Sequence, residues 1–293
     1  MTHSLDLGGV VVHRLIDIPS MRFQRSDLIP DLSAAELREF RQNQIVREDV
    51  PDDVLTLSFG AYLVISEGSA ILVDSGVGDT KHRSRAEWHM RADGALPREL
   101  ARLGYTVSTV DTVYLTHLHA DHVGWNTIWN GERWQPTFPH ASYLTAGQEL
   151  TWAAQEYSRN PSFNYGSYAD SVEPLLMANV LTPVDFGHDL SDRVSAQLLP
   201  GHTPGSSVIV VRGDNATAVL SGDLIHHPVQ CGRPDLSSRF CCDARESTVA
   251  RTDLLSRVAN CGAILMPAHF IWGQIVAQGA QFEFLPLAMS EEK

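Results

Sequence analysis

Short apolar and β-branched runs alternate along the chain with amphipathic segments and with turn-rich segments. The apolar runs predict strands at 9–13, 54–66, 70–74, 112–116, 194–199, 206–211, 217–221 and 263–266. The amphipathic segments predict helices at 96–103, 146–157, 167–178 and 245–260. This order of strands and helices indicates an α/β layering of the chain.

Four potential metal ligands lie within six residues, directly after the predicted strand 112–116. They are His117, His119, Asp121 and His122. Because a loop at the end of a strand can turn several side chains toward one point, we expect these four to form a metal site. Imidazole suits zinc, iron, cobalt and nickel, and a carboxylate also admits harder metals. In an extended loop, ligands two apart point the same way and adjacent ligands diverge, which predicts two metals, each served by one pair.

Four further segments stand in a fixed order around this histidine cluster. They are Ile71-Leu72-Val73-Asp74-Ser75-Gly76, Pro200-Gly201-His202-Thr203-Pro204-Gly205, Leu220-Ser221-Gly222-Asp223 and Met266-Pro267-Ala268-His269. Together with the His-x-His-x-Asp-His run, they make the chain resemble the metallo-β-lactamase-fold hydrolases over about 61–273. Five ordered motifs are a more specific signal than any one of them alone.

The resemblance implies both a fold and a ligand set. The implied fold class is α/β, an αββα sandwich of two mixed sheets with helices on the outer faces, formed as a single domain over 1–293. Two divalent metal ions are implied, with zinc expected and iron, manganese or cobalt as alternatives. The first ion is assigned to His117, His119 and His202, the second to Asp121, His122 and His269, and both to a bridging Asp223.

The same resemblance implies hydrolytic chemistry, because two such ions supply hydroxide at ordinary pH and polarise the bond under attack. Relatives use the position of Asp121 both as a ligand and as a proton carrier, and both roles stay open. Asp74 is expected to accept a hydrogen bond from a ligand histidine and so hold its tautomer. His226 and His227 are candidates for substrate contacts or for donors behind the ligands, with ordinary surface histidines as the alternative.

Two segments outside the motifs are candidates for shaping the site. Residues 19–53 form a charged, turn-rich arm in which Ser33 and Glu36 make a capping box that opens a short helix through about Arg41. The arm shows no core pattern of its own and is expected to cover the mouth of the site, to pack on a second subunit, or to be a surface excursion. Aromatic residues after the ligand loop could wall an apolar pocket, and Trp125 is the best candidate because it follows the loop directly.

Composition and charge limit the partners. The 293-residue chain is 43% hydrophobic with a formal net charge of −13, which disfavours nucleic acid as the main substrate because phosphate binding needs clustered Lys and Arg. No apolar run approaches a membrane span, and the first residues lack the pattern of a signal peptide. The four cysteines show no zinc-binding spacing and fit reduced thiols, so we expect a cytoplasmic location.

Departures from other branches of the family narrow the activity. His119 stands where a redox-active diiron branch carries Glu, and Asp223 stands where true β-lactamases often carry Cys. The run Gly222-Asp223-Leu224-Ile225-His226 and the long arm resemble the quorum-quenching lactonase and methyl parathion hydrolase-like group. That resemblance implies a hydrolase of small-molecule lactones or esters, organophosphate esters included, and makes a homodimer an expectation.

Two alternatives to this activity stay open. One is a phosphodiesterase or ribonuclease of the same fold, and the other is a metal-retaining binding protein without turnover. Lactonases specialised for acyl-homoserine lactones place a tyrosine near the metals. The candidates for that tyrosine are Tyr157, Tyr165 and Tyr168.

Overall fold

A computed structural model describes residues 3–42, 50–185, 187–279 and 281–287. The strands are β1 His3–Asp6, β2 Val10–Gln24, β3 Val54–Ser66, β4 Ser69–Val73, β5 Thr112–Leu115, β6 Thr127–Trp129, β7 Trp134–Pro136, β8 Ser142–Ala146, β9 Leu181–Val184, β10 Val194–Leu198, β11 Ser207–Arg212, β12 Thr217–Gly222, β13 Ile264–Pro267, β14 Gly273–Gln278 and β15 Gln281–Pro286. The α-helices are α1 Arg25–Leu28, α2 Ala34–Gln42, α3 Ala95–Arg102, α4 Ala120–Val123, α5 Gly147–Arg159, α6 Glu173–Met177, α7 Val229–Gly232 and α8 Ala244–Cys261. None of these helices combines the length and the apolar character needed to cross a membrane.

Within these ranges the strands form two large sheets and one hairpin. The first sheet has seven strands in the order β1-β2-β3-β4-β5-β8-β9, the second has six in the order β10 to β15, and β6 pairs with β7. Both large sheets are mixed, because β4, β5, β8 and β9 run parallel in the first and β12 and β13 run parallel in the second. The predicted α/β sandwich with two mixed sheets is confirmed. That the chain forms one domain stays a prediction.

The two sheets pack face to face, with helices on the outer sides. Buried side chains such as Val64 and Tyr114 of the first sheet share a cluster with Ile209 and Leu220 of the second. The outer face of the first sheet packs against α3 and α5, and that of the second against α8. Burying each large apolar side chain stabilises the fold by roughly 1.5–3 kcal/mol. Successive side chains of a strand point to opposite faces of the sheet, and this alternation decides which side chains join the inner layer.

The strand ends deliver the predicted ligand segments to one edge of the sandwich. Strands β5, β10, β12 and β13 each end within four residues of a predicted ligand. Parallel β12 and β13 bring Gly222 opposite Pro267, so the segments that follow them start side by side. The hydroxyl of Tyr62 donates to the carbonyl of Pro267 at 2.7 Å and ties this edge to the first sheet.

The N-terminal arm packs into a hydrophobic cluster, although its sequence shows no core pattern. Strand β2 continues through Gln24, and Phe23, Leu28, Leu32 and Leu37 pack against Leu57 and neighbouring residues of β3. The apolar residues are divided between a strand end and two short helices, so no single periodicity marks them. The capping box is confirmed, since the Ser33 and Glu36 side chains each accept from the other's backbone N–H. Residues 43–49 of the arm lie outside the described ranges.

The predicted helix 167–178 is interrupted. A π-helical turn at Tyr168–Val172 precedes the shorter helix α6. Pro174 lies in the first turn of α6, where its missing N–H costs nothing, whereas inside one continuous helix it would remove a backbone hydrogen bond. The helix is therefore restarted at Glu173.

Candidate metal centre and its pocket

The segment that carries His117, His119, Asp121 and His122, here called the ligand loop, is part extended and part helical. His119 has an extended backbone, but Ala120–Val123 forms a helical turn, with the His122 N–H donating to the His119 carbonyl at 3.0 Å. The prediction of an extended loop is therefore wrong from Ala120 onward. Gly124 ends the turn against the neighbouring loop, where a Cβ atom would lie 1.9 Å from the carbonyl oxygen of Val77.

Three histidines and one carboxylate oxygen converge on a first point. His202 Nε2 lies 3.1 Å from His117 Nε2 and 2.9 Å from His119 Nδ1. Asp223 Oδ2 lies 3.5 Å from His202 Nε2 and 3.8 Å from His117 Nε2. These four residues form a group in which each offers one ligand atom to a common centre. We call them the first ligand group.

A second group forms around the other oxygen of the same aspartate. His122 Nε2 and His269 Nε2 lie 3.0 and 2.9 Å from Asp223 Oδ1. Asp121 Oδ2 lies 3.5 Å from His122 Nε2 and 3.8 Å from His269 Nε2. These four residues are the second ligand group. Asp223 thus directs one oxygen to each group.

The tautomers in the second group fit a bound cation. His122 Nδ1 donates to Asp74 Oδ2 at 2.8 Å, and His269 Nδ1 donates to the Ser58 carbonyl at 3.0 Å. With the proton on Nδ1, each Nε2 presents a lone pair to the Asp223 carboxylate, which is also an acceptor. In the described part of the chain, His122 Nε2 and Asp223 Oδ1 have no hydrogen-bond partner. A divalent metal held by these residues would satisfy such facing acceptors in a buried site.

Burial and charge set different protonation tendencies in the two groups. Burial lowers the pKa of His117 and His202 well below the ordinary value, and lowers the pKa of His119 to about 4. These imidazoles are therefore neutral and keep their lone pairs for a metal. Burial also opposes protonation of His122, but the carboxylates around it, above all Asp223, raise its pKa well above the ordinary value. The second group thus concentrates negative charge, which is neutralised either by a proton on His122 or by a metal cation that takes the place of that proton.

A layer of hydrogen-bond partners orients the ligands. Asp74 accepts from the backbone N–H of Thr116 at 2.7 Å as well as from His122. The Thr116 hydroxyl lies 3.1 Å from His117 Nδ1. Behind His202, the sulfur of Cys241 lies 3.6 Å from Nδ1. Each contact engages the ring nitrogen that faces away from the ligand centre, which holds the tautomer.

The adjacent histidines His226 and His227 differ in position. His226 lines the pocket, and its Nε2 lies 3.3 Å from Asp223 Oδ2. The ring of His227 instead packs against Phe40, 5.6 Å between centroids, and does not line the pocket. Both side chains are buried, so the alternative of surface histidines is wrong for both. The candidacy of His227 as a substrate contact is corrected, because the turn after Asp223 directs it toward the arm.

A cavity of about 530 Å³ lies over the two ligand groups. The lining residues comprise the ligands His119, Asp121, Asp223 and His269, the apolar and aromatic residues Phe23, Leu57, Phe59, Trp88, Phe163, Tyr165 and Phe240, the arginines Arg85 and Arg239, and Ser84, Asn160, Ser162, Asn164, His226, Cys241 and Cys242. Phe23 belongs to β2, so the arm supplies part of the wall. A cavity of this size with a few polar groups is typical of small-molecule sites.

The sequence matches a known family over 61–272, the family described as the metallo-beta-lactamase superfamily. The chain belongs to the metallo-beta-lactamase superfamily. The matched segment contains all five motifs, and the predicted resemblance is confirmed. As a member of this superfamily it carries groups of His and Asp that could hold metal ions.

Relatives within the superfamily differ in activity. The chain is 29% identical over 169 residues to a ribonuclease of Thermus thermophilus, an alignment that covers 56% of this chain and 34% of the ribonuclease. The chain thus spans about a third of that relative's length. Among solved structures, the dizinc quorum-quenching lactonase AidC, in complex with a product, has a TM-score of 0.78 at 22% identity, covering 99% of this chain and 98% of that one. The hydrolase AbOPH has a TM-score of 0.80 at 20% identity with the same coverage. These two likenesses show a shared fold.

Trp125 does not line the pocket, so its selection as a wall residue is wrong. Its ring lies in the core beside the first sheet, and its Nε1 donates to Asp17 Oδ1 at 3.3 Å. The 3-10 turn at Gly124–Asn126 bends the chain back under the ligand loop. Phe138 and Tyr143 are also buried in the core. The pocket aromatics of this superfamily member come instead from the arm, from β3 and from segments outside the large sheets.

Among the three candidate tyrosines, Tyr165 lines the pocket and contacts the ring of Trp88, with 5.1 Å between centroids. Tyr157 and Tyr168 stack on each other, with 4.8 Å between centroids, and do not line it. Tyr165 has a left-handed backbone with φ of 58°, as does Asn164 with φ of 52°. The Asn164 side chain donates a hydrogen bond to the Leu118 carbonyl and accepts one from the Ala120 N–H. These two hydrogen bonds to the ligand loop hold the strained turn in place.

Sequence reasoning missed one residue that joins the ligand loops. Glu149 is buried on α5 and accepts from Leu118, Thr203 and Gly205. The available signal was its position four residues before Ala153, on the inward face of a predicted helix. A charged residue there needs polar partners in the core.

Proposed function

We propose that the protein is a hydrolase of small-molecule lactones or esters, organophosphate esters included, that depends on two divalent metal ions. The observation that carries this proposal is the position of Asp223, whose two oxygens face separate ligand groups under a cavity of about 530 Å³. Zinc is the expected metal, with iron, manganese or cobalt as alternatives. When bound, two such ions lower the pKa of water and polarise the oxygen of the bond under attack.

The chain's own residues then bind and orient the substrate. Phe59, Trp88 and Phe163 offer apolar surface to the acyl or alcohol part and exclude water from it. His226 is proposed to donate an N–H to a substrate oxygen, since it lines the cavity and the one polar contact of its ring in the described part of the chain is that of Nε2 with Asp223 Oδ2 at 3.3 Å. Asp121 is proposed to pass a proton to the leaving-group oxygen.

A second candidate is a phosphodiesterase or ribonuclease activity. It is favoured by the 29% identity with the Thermus thermophilus ribonuclease over 169 residues. The formal net charge of −13 favours a small substrate over a polyanion, because a nucleic acid would be repelled at a distance. A homodimer and a cytoplasmic location stay predictions.

The test combines elemental analysis with a substrate panel. The protein is stripped with a chelator, reloaded with zinc, dialysed, and assayed on a lactone, an aryl ester, a phosphotriester and a phosphodiester. We expect about two equivalents of zinc per chain and turnover of a lactone or ester. His119→Ala is expected to remove one equivalent and to abolish turnover, because it takes one nitrogen from the first ligand group.

The matched control is His140→Ala, because His140 is exposed and belongs to neither ligand group. It is expected to leave zinc content and turnover unchanged. Turnover of the phosphodiester alone would contradict the lactone and ester proposal and favour the phosphodiesterase or ribonuclease activity. Two equivalents of zinc with no turnover on the whole panel would favour a binding protein without turnover.

A further inference from the structure

Two guanidinium groups line the pocket without a carboxylate partner among the residues that the structure describes. Arg85 and Arg239 are both lining residues. Of the residues described around this cavity, the acids are Asp121 and Asp223, and both belong to the ligand groups. The other polar lining side chains carry hydroxyl, amide, thiol or imidazole groups. Outside the ligand groups, the permanent charge on the pocket wall is therefore positive.

Arg85 is held by aromatic rings and not by an acid. Its guanidinium lies 4.6 Å from the ring centroid of Phe23 and 5.4 Å from that of Trp88. Within the described ranges the Arg85 guanidinium has neither a hydrogen-bond nor an ion-pair partner. Arg83, two residues earlier, makes a bidentate pair with Asp170 at 2.6 and 2.8 Å. The contrast shows that acid partners exist nearby, and that Arg85 is oriented by stacking with its five N–H donors left for a ligand.

Arg239 is oriented by the backbone of the arm. Its Nη2 donates to the Ser26 carbonyl at 3.0 Å, and its own N–H donates to the Leu28 carbonyl at 2.9 Å. Arg239 is an exposed residue, and its guanidinium makes no ion pair with any residue that the structure describes. The arm thus contributes to the pocket twice, through Phe23 under Arg85 and through these two carbonyls under Arg239.

The two positive groups in the pocket contrast with the negative net charge of the whole chain. A formal net charge of −13 repels an approaching anion, and a surface of that sign offers many carboxylates to neutralise an arginine. Two unneutralised guanidinium groups beside the ligand groups create a local attraction for an anion. Phe59, Phe163 and Phe240 supply the apolar surface that would lie against the remainder of such a ligand.

We propose that the substrate is an ester or lactone carrying a carboxylate in its acyl or alcohol part, and that Arg85 and Arg239 bind this carboxylate while the aromatic wall binds the apolar segment. This specificity rests on the proposed function. The two arginines are specificity-determining residues, because they bind a part of the substrate that does not react. Their contribution lies mainly in KM, since a contact made equally before and during reaction changes binding and not the chemical step.

The test compares isosteric esters that differ in charge. The zinc-loaded enzyme is assayed on 4-acetoxyphenylacetate and 4-acetoxyphenylacetamide, and on the pair with one more methylene, with rates normalised to spontaneous hydrolysis. We expect kcat/KM to favour the carboxylate by about tenfold, the equivalent of about 1.4 kcal/mol. Arg85→Gln with Arg239→Gln should reduce the preference to about one, and the loss should appear in the KM of the carboxylate ester. The matched control is Arg257→Gln, an arginine paired with Asp253 on α8, away from the pocket.

A binding measurement separates this proposal from the proposed function. Calorimetry is used to measure the binding of 3-phenylpropanoate and of its carboxamide to the same zinc-loaded proteins. If the carboxylate binds about tenfold more weakly to the double variant, the inference is supported even when no ester is turned over. The lack of turnover would then contradict only the proposed function. Equal kcat/KM for the two charge types, with carboxylate binding unchanged in the double variant, would overturn the inference while leaving the hydrolase standing. Turnover of bis(4-nitrophenyl) phosphate in preference to every carboxylate ester would also overturn it, because the bound anion would then be the reacting phosphate.

Discussion

The carboxylate of Glu149 accepts a hydrogen bond from the hydroxyl of Thr203 at 2.7 Å, so a side chain of α5 holds the loop that carries His202. The same oxygen accepts from Gly205 N at 3.1 Å, and the other oxygen accepts from Leu118 N at 2.9 Å. Burial raises the pKa of Glu149 to about 7, although these donors favour the charged form. One buried carboxylate thus connects the loop that carries His117 and His119 with the loop that carries His202.

Glu149→Gln is expected to weaken the first ligand group. Both carboxylate oxygens face N–H donors, so the amide NH₂ of glutamine must face one of them and leave it unsatisfied. We expect zinc affinity at one of the two sites to fall by about 10–100-fold, as for loss of other groups behind metal ligands. Elemental analysis after dialysis against graded chelator measures this. Glu156→Gln on the same helix, where Glu156 pairs with Arg159, should leave both equivalents in place, and equal zinc retention by the two variants would contradict the assignment.

Asp74→Asn is expected to weaken the second ligand group by a change of tautomer. Asp74 accepts from the Thr116 N–H and from His122 Nδ1, so an asparagine NH₂ would oppose one of these donors. If His122 moves its proton to Nε2, that nitrogen no longer offers a lone pair. Zinc titration should show one site weakened by about 10–100-fold. Asp79→Asn removes another carboxylate whose oxygen accepts from a backbone N–H, that of Gly94, and should leave zinc binding unchanged.

The neighbouring histidines are predicted to separate catalysis from stability. His226→Gln should lower kcat/KM roughly 100-fold with zinc content unchanged, because it removes a donor proposed to contact the substrate oxygen. His227→Gln should leave kcat/KM unchanged and lower the free energy of unfolding by about 1–3 kcal/mol, since the buried N–H of Val229 donates to the His227 ring. Kinetics and denaturant unfolding on both variants provide the comparison. A larger loss of kcat/KM in the His227 variant than in the His226 variant would refute the proposal that His226, and not His227, contacts the substrate.

The buried Lys81 is predicted to make stability depend on pH. Its Nζ donates to Thr127 Oγ1 at 2.6 Å and lies 3.6 Å from the ring centroid of Trp134. Burial lowers the pKa of Lys81 to about 7 from its ordinary value near 10.5, despite the opposing charge of Asp170. Between pH 7 and 10.5 the unfolded chain therefore binds one more proton at this site, and the free energy of unfolding rises with pH by up to about 1.4 kcal/mol per unit.

Lys81→Met tests this dependence because it keeps the apolar contact and removes the titrating group. Denaturant unfolding at pH 7 and pH 8.5 should show a gain in stability with pH for the parent protein that is smaller in the variant. Arg102→Met, which removes an exposed cation paired with Glu99, should keep the parent's pH dependence. An identical dependence in the Lys81 and Arg102 variants would show that Lys81 is already fully charged in the folded state.

Motifs whose meaning is local could be predicted from the sequence. The His117–His122 run, the strands that precede the ligand segments and the Ser33–Glu36 capping box each depend on residues close together in the chain. The fold class followed from the order of strands and helices together with the family resemblance. Periodicity and capping are local properties, so they survive without knowledge of the partners.

Other features depended on which distant segments meet. Trp125 follows the ligand loop by only three residues, yet a single 3-10 turn sends it into the core, while Phe23, far earlier in the chain, walls the pocket. Glu149 carries no motif, and its role appears only when α5 lies across two loops from different sheets. The sequence by itself determined the ligand types, their order and the layered fold, because these follow from local chemistry and spacing. Only the tertiary structure decided the walls, the charge of the pocket and the supports behind the ligands, because these depend on the direction of side chains brought together by packing.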